Sequence, residues 1–205
     1  MSFQRHAPRQ TTLQGALFDA GPQQVHRLFF ALLPDTAARD RIARCADLLK
    51  STHELRGKWV APERYHATLH FLGDNSELRA DLRDAAIAAA ATVRCAPVKI
   101  ALDAACTFRR ANARGNSPAV LRDTSKAPAA YPLWQALAQG LAAQGQGKGL
   151  ERSFVPHVTL LYQDRDALPD VPIEPIHWIA TEFVLVHSIF RQPDYRILGR
   201  WRLNG

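Results

Sequence analysis

Apolar residues after the first 25 positions follow strand-like runs and helix-like stripes. The segment 27–33 is short, apolar and aromatic, which is typical of a buried strand. After Pro34, apolar residues recur at intervals of three and four, and this spacing predicts a helix. Ser76 can cap a second helix, whose apolar stripe begins at Leu78 and ends near Val93. The first half therefore predicts a strand followed by two helices, with an aromatic, histidine-containing segment between the helices.

The second half repeats this order. The segments with strand patterns are 98–102, 119–121, 182–186 and 196–203, and Leu133, Leu137 and Leu141 have helical spacing. Phe30 precedes His66 by almost the same number of residues as Val120 precedes His157. This agreement predicts two similarly built halves. Helices mixed with hairpin-like strands indicate an α+β fold rather than a doubly wound parallel sheet.

Two short His-x-Thr segments occupy matching places in the two halves: His66-Ala-Thr68-Leu and His157-Val-Thr159-Leu. Side chains alternate between the faces of a strand. Each histidine therefore shares a face with the threonine two residues later, and the intervening apolar residues, with Phe71 and Tyr162, point the other way. One such segment occurs often by chance. Two copies in apolar strands at equivalent places indicate a shared site.

A helix is the competing interpretation of the first segment. Pro62 suits a first helical turn, Gly73 suits a helix end, and His66 and His70 would then have the i, i+4 spacing of a zinc site. The catalytic glutamate that accompanies that spacing in zinc proteases is absent. The second copy is rich in aromatic and β-branched residues, which favours the strand.

Composition and charge narrow the class of protein. The 205 residues are 47% apolar and 22% charged, as in a globular protein with a core, and the formal charge of +7 favours an anionic partner without identifying one. Three cysteines without C-x-x-C spacing argue against a disulfide framework or a structural zinc site. Residues 1–25 lack the apolar core of a signal peptide and predict a disordered tail. We expect a cytoplasmic protein with one folded domain over 26–205.

The motifs and their flanking residues resemble one family. The chain is similar to the two-histidine phosphoesterases, in particular the bacterial RNA 2′,3′-cyclic phosphodiesterases of the LigT, or 2′-5′ RNA ligase, family. The matching stretches are Arg27–Pro34, Trp59-Val60, His66–Gly73 and Arg152–Tyr162. The resemblance covers about residues 26–203. Many relatives carry arginine where this chain has Tyr162.

The resemblance implies a fold and an activity. The expected fold is α+β, with two pseudo-symmetric lobes, each an antiparallel sheet backed by helices, around a central cleft. The expected reaction is metal-independent hydrolysis of RNA 2′,3′-cyclic phosphate ends to 2′-phosphomonoesters, and the reverse reaction would be 2′-5′ ligation. The resemblance also implies that His157 is the base that activates water and that His66 is the acid that protonates the leaving oxygen.

The residue types suit this chemistry. Histidine has an unperturbed pKa of about 6.5, so it can accept or donate a proton near neutral pH. Hydroxyls of Thr68 and Thr159 can donate hydrogen bonds to the non-bridging phosphate oxygens. Neither role needs a metal or another cofactor.

Other residues are candidates for substrate contacts. Arg152 can reach a phosphate, and the remaining candidates for contacts with RNA are Phe30, His70, Arg110 and Tyr195. The expected partner is an RNA or oligonucleotide with a cyclic phosphate end, bound by a monomer. Two alternatives remain open: cleavage of 2′-5′ oligoadenylates or cyclic nucleotides on the same fold, and a non-catalytic RNA-binding module.

Overall fold

The architecture is a large antiparallel sheet with helices on one face. The computed structural model describes residues 24–108, 117–163 and 168–205. The elements in chain order are β1 (His26–Leu32), α1 (Thr36–Thr52), β2 (Lys58–Trp59), a 3₁₀ turn (Pro62–Arg64), β3 (Ala67–Asn75), α2 (Ala80–Ala91), β4 (Val98–Thr107), β5 (Ser117–Arg122), α3 (Tyr131–Ala143), β6 (His157–Gln163), β7 (Val171–Ala180), β8 (Glu182–Ile189) and β9 (Tyr195–Arg202). The prediction of an α+β fold with antiparallel strands is confirmed.

Within the described residues, nine strands form one continuous sheet instead of two separate ones. Eight of them follow the order β7-β4-β5-β6-β3-β1-β8-β9, and β2 pairs with β6 beside this path. Strands β3 and β6 are neighbours at the centre of this order. These two strands join at the pair Ala67 and Val158, inside the two His-x-Thr segments. The centre of the sheet therefore lies between the two motifs.

The helices cover one face of the sheet and create the main core. Helix α1 begins after Asp35, whose carboxylate accepts a hydrogen bond from the Ala38 amide at 2.7 Å. Its buried residues lie at helical spacing and pack towards the sheet. They are Ala38, Ile42, Ala46 and Leu49. Helix α2 begins at Ala80, four residues after the predicted cap at Ser76, and packs against α3.

The opposite face of the sheet has no helix over it in the described residues. Here Phe29, Ala31, Val184 and Val186 form a separate small apolar cluster. The two motifs open onto this same face. The predicted tail over 1–25 lies almost wholly outside the described residues. Among the helices that the structure describes, none is long and apolar enough to cross a membrane.

Candidate active site

The register of β3 and β6 brings the two motifs together. Ala67 pairs with Val158 in antiparallel register, and both side chains are buried on the helix face. The residues on either side of this pair point to the open face. Antiparallel register then sets His66 beside Thr159, and Thr68 beside His157. The four side chains form a compact group in which each histidine has the threonine of the other motif as its neighbour.

Both imidazoles are held in the same way. His66 Nδ1 lies 2.8 Å from the carbonyl oxygen of Arg64, and His157 Nδ1 lies 2.8 Å from that of Val155. A carbonyl only accepts, so Nδ1–H donates and Nε2 of each neutral ring carries the lone pair. Each ring also has an aromatic neighbour at 4.9 Å between centroids, Phe29 for His66 and Phe108 for His157. The paired contacts fix both tautomers and leave Nε2 for proton transfer.

A bulge after each motif changes which side chains face the site. Ala31 pairs with Thr68 and Phe30 with His70, so Leu69 is an extra residue in β3. Leu160 is the extra residue at the matching place in β6. Beyond each bulge, the side chains that alternation would place on one face of the sheet lie on the other face. The strand assignment over the helix is confirmed, but the expected direction of the residues beyond the motif is wrong.

His70 illustrates the consequence. It is 1% exposed, its Nε2 donates to the Trp134 carbonyl at 2.8 Å, and its ring stacks on that tryptophan. His70 therefore joins β3 to α3 on the helix face, and the prediction that it contacts substrate is wrong. His66 and His70 lie on opposite faces of the sheet, which also removes the zinc alternative built on this pair. Phe71 and Tyr162, expected to be buried, are 44% and 40% exposed.

Phe30 is the second correction. It is fully buried and packs edge-to-face against Phe183 and Trp201 in the main core. Its neighbour Phe29 points to the open face and contacts His66 instead. The segment 27–33 is apolar on both faces, so its pattern does not reveal which phenylalanine faces the site. The histidine motif on the adjacent strand is the feature that decides between them.

Tyr195, a candidate for substrate contact, lies beside His66. Its hydroxyl is 3.5 Å from His66 Nδ1, and its ring is edge-on to the imidazole at 5.5 Å. The guanidinium of Arg64 lies 4.3 Å from the centre of the Tyr195 ring. Arg64 was not identified from the sequence because a lone arginine before a histidine carries no distinctive pattern. It supplies both a positive charge near the site and the carbonyl that holds His66.

The remaining candidate site residues are the two motif threonines and two arginines. Thr68 and Thr159 are half-buried on the site face, and no hydrogen bond to either hydroxyl is seen within the described residues. Arg152 is exposed on the segment before β6. Arg110 lies outside the described residues. The threonines thus have hydroxyls free to meet a ligand, and Arg152 has no contact that fixes it towards one.

Both histidines are neutral in the free protein at pH 7. The pKa of His66 is lowered to about 4, chiefly by burial and also by the charges of His157 and Arg64, while the hydrogen bond to the Arg64 carbonyl opposes the shift. Burial also lowers the pKa of His157, while the Val155 carbonyl and the carboxylate of Glu151 oppose that shift. The electrostatic effect of His157 on His66 agrees with their closeness across the strand pair.

A cavity of about 400 Å³ adjoins His157 on the same face of the sheet. Arg122 pairs with His157 across β5 and β6, and its guanidinium binds Asp170 at 2.5 Å at the edge of the cavity. The other lining residues include Cys106, Phe108 and Val155. The cavity is linked to the site through Phe108, whose ring contacts that of His157, and through Val155, whose carbonyl holds His157.

The chain is similar in sequence and structure to proteins that include LigT-like phosphoesterases. Residues 32–117 match the family model described as LigT-like phosphoesterase. The structure of Escherichia coli LigT complexed with NADP⁺ is 28% identical, with a TM-score of 0.69, over 88% of this chain and 98% of that one. The same E. coli protein complexed with 3′-AMP aligns at 26% identity, a TM-score of 0.69, and 88% and 99% coverage.

A Thermus thermophilus protein shares the fold at 23% identity, with a TM-score of 0.68 over 87% of this chain and 98% of that one. Comparison with curated protein sequences finds no match. The structural alignments cover 87–88% of this chain, whereas the family-model match ends at residue 117. The family-model match and the structural alignments together support assignment of this chain to the LigT-like phosphoesterases.

Proposed function

We propose that this protein hydrolyses RNA 2′,3′-cyclic phosphate ends to 2′-phosphomonoesters without a metal ion. The observation that carries the proposal is the register between β3 and β6, in which each histidine has the threonine of the other motif beside it. This arrangement offers two proton-transfer groups and two hydroxyl donors around one space. The 3′-AMP bound by the E. coli relative supports a nucleotide as the substrate class.

The reaction needs one base and one acid. Water attacks phosphorus while Nε2 of His157 accepts its proton, and the bond from phosphorus to the ribose 3′ oxygen breaks. Nε2 of His66 gives a proton to that oxygen, which leaves a 2′-phosphate and a free 3′-hydroxyl. Thr68 and Thr159 donate hydrogen bonds to the non-bridging oxygens, where negative charge increases in the transition state.

The pKa shifts of His66 and His157 affect how well each can act as acid or base. The pKa of His66 is lowered to about 4, so its protonated form is rare in the free protein but is a strong acid. Glu151 supports proton acceptance by His157. A bound cyclic phosphate adds a negative charge between the rings and favours the protonated state of the pair. The proposed order thus gives the acid role to a histidine whose protonated form is strongly acidic, and the base role to one that a carboxylate helps to accept a proton.

Turnover of a nucleoside 2′,3′-cyclic phosphate in EDTA tests the proposal. We expect hydrolysis at an undiminished rate, because every proposed step uses imidazole and hydroxyl groups. Phosphorus NMR should identify the product as the 2′-phosphate. A 3′-phosphate product would assign the other ribose oxygen as the leaving group, and loss of activity in EDTA that Mg²⁺ restores would refute the metal-independent mechanism. Activity on 2′-5′ oligoadenylate alone would assign the site to a different diester.

The pH dependence provides a second test. The productive state has one protonated and one neutral histidine, so kcat/KM rises with pH as the base loses its proton and falls as the acid loses its own. Because the pKa of His66 is about 4 and that of His157 lies below 6.5, we expect a maximum between these values. A stopped assay from pH 3.5 to 9 measures it. A flat profile, or an optimum above pH 7, would contradict the two-histidine mechanism in this environment.

A further inference from the structure

A basic surface surrounds an exposed aromatic ring at one end of the site face. The ring belongs to Phe190, which follows β8 and is 44% exposed. The guanidinium carbons of Arg27 and Arg191 each lie 5.4 Å from its centre, and the ammonium nitrogen of Lys58 lies 5.9 Å from it. We call these four residues the Phe190 surface. Three cations around one solvent-facing ring differ from the usual apolar neighbours of a phenylalanine.

The turn that carries Phe190 is rigidly held. The Gln192 amide donates to the Ile189 carbonyl at 3.0 Å, and Arg191 adopts a left-handed φ of 68°, which is uncommon for a residue with a side chain. Arg64 fixes the turn from outside, donating to the carbonyls of Gln192 at 2.7 Å and Pro193 at 3.1 Å. The same arginine provides the carbonyl that holds His66. The position of Phe190 is therefore coupled to that of a proposed catalytic residue.

The Phe190 surface is continuous with the site. Arg27 and Phe29 point to the same face of β1, and Phe29 contacts His66. Lys58 pairs with Tyr162 on the strand that carries His157. Tyr162 and Phe71 add two exposed rings on this face. A chain leaving the site in this direction thus meets aromatic rings and cations in turn.

The charge of the surface is largely uncompensated. Asp74 accepts a hydrogen bond from Arg27 at 3.0 Å, but among the described residues no acidic side chain forms an ion pair with Lys58 or Arg191. Proteins that bind single-stranded nucleic acid combine cations, which contact phosphates, with aromatic rings on which bases stack. Duplex RNA cannot offer its bases to such a ring, because they are already stacked and paired.

We propose that the Phe190 surface binds the nucleotides that precede the 3′ end of a single-stranded RNA substrate, so that this protein prefers oligonucleotides to mononucleotides. The inference rests on the proposed function, since the cyclic phosphate at that 3′ end would occupy the space between the histidines. Phe190 stacks on a base, while Lys58 and Arg191 contact the backbone phosphates on either side of it.

The test compares two substrates with the same reactive end. One is a nucleoside 2′,3′-cyclic phosphate and the other is a single-stranded RNA of about six nucleotides with that end. We expect Phe190→Ala to lower the ratio of kcat/KM for the oligonucleotide to that for the mononucleotide by about ten-fold, as loss of one stacked base implies. Lys58→Ala should lower the ratio and flatten its dependence on salt. Leu48→Ala is the control, because Leu48 is 65% exposed on α1, away from the site face.

Binding of RNA separates this inference from the proposed function. Fluorescence anisotropy with a single-stranded RNA ending in a 3′-hydroxyl needs no turnover, and Phe190→Ala should weaken its binding relative to Leu48→Ala. If the wild type cleaves neither substrate but binds RNA through Phe190, the inferred role of the Phe190 surface in RNA binding is supported and the proposed function is refuted. An unchanged substrate ratio with unchanged RNA binding would overturn the inference. So would equal binding of duplex RNA, or preferential binding of an acidic peptide.

Discussion

Replacing either His66 or His157 by alanine is expected to lower kcat for a cyclic phosphate substrate by about 10²–10⁴-fold, the usual contribution of a positioned acid or base. Each ring is held through Nδ1 by a backbone carbonyl, so the free Nε2 is the atom that the substitution removes. The double variant should be little slower than the slower single variant, because the two groups act in one concerted step. Steady-state kinetics in EDTA measure these effects.

His177→Ala is the matched control for these variants. His177 is an exposed histidine on β7, and its imidazole contacts neither motif. Thermal unfolding of all three variants shows whether the fold is retained. We expect little change, because the motif histidines lie on the open face of the sheet and not in the main core. Wild-type turnover of a nucleoside 2′,3′-cyclic phosphate by His66→Ala or His157→Ala would refute the central assignment.

The leaving group distinguishes the acid from the base. The p-nitrophenolate group of an aryl phosphodiester can leave without being protonated. Loss of the general acid should therefore lower the rate little with that substrate. We expect His66→Ala to recover most of its activity on the aryl substrate, while His157→Ala remains slow. The opposite result would exchange the two roles and leave the pair itself intact.

The sequence predicted the two motifs because their chemistry and strand pattern are local. Whether His66 and Thr68 share a face depends only on alternation along three residues, and the structure agrees. Alternation fails beyond the bulge at Leu69, because an extra residue exchanges the two faces for everything that follows. His70 and Phe71 were therefore each expected on the wrong side. A bulge depends on pairing with neighbouring strands, which a single segment does not reveal.

Strand β7 shows a different limit of the sequence pattern. It was not predicted, because Pro172 and Pro175 interrupt the segment and proline removes a hydrogen-bond donor from a strand. The structure places β7 at the edge of the sheet, where one side of the backbone needs no partner. Proline is tolerated at such an edge. The order of the strands, which decides what is an edge, arises from contacts between distant segments.

Phe30→Ala is expected to lower the free energy of unfolding by about 3–5 kcal/mol. Phe30 is fully buried, and its ring packs against Phe183 and Trp201, so truncation leaves a cavity in the main core. Urea denaturation followed by tryptophan fluorescence measures the change. The activity per folded molecule should stay close to that of the wild type, because Phe29, and not Phe30, contacts His66.

Phe71→Ala provides the matched control, since it removes the same side chain from the adjacent strand. Phe71 is 44% exposed on the site face, and a surface substitution of this kind typically changes stability by about 0.5 kcal/mol or less. A larger stability loss for Phe71→Ala than for Phe30→Ala would contradict the bulge at Leu69, which determines the direction of both rings. A raised KM in Phe30→Ala with unchanged stability would return Phe30 to the substrate site, as the sequence first indicated. The pair of variants thus tests the register of β1 and β3, on which the position of His66 depends.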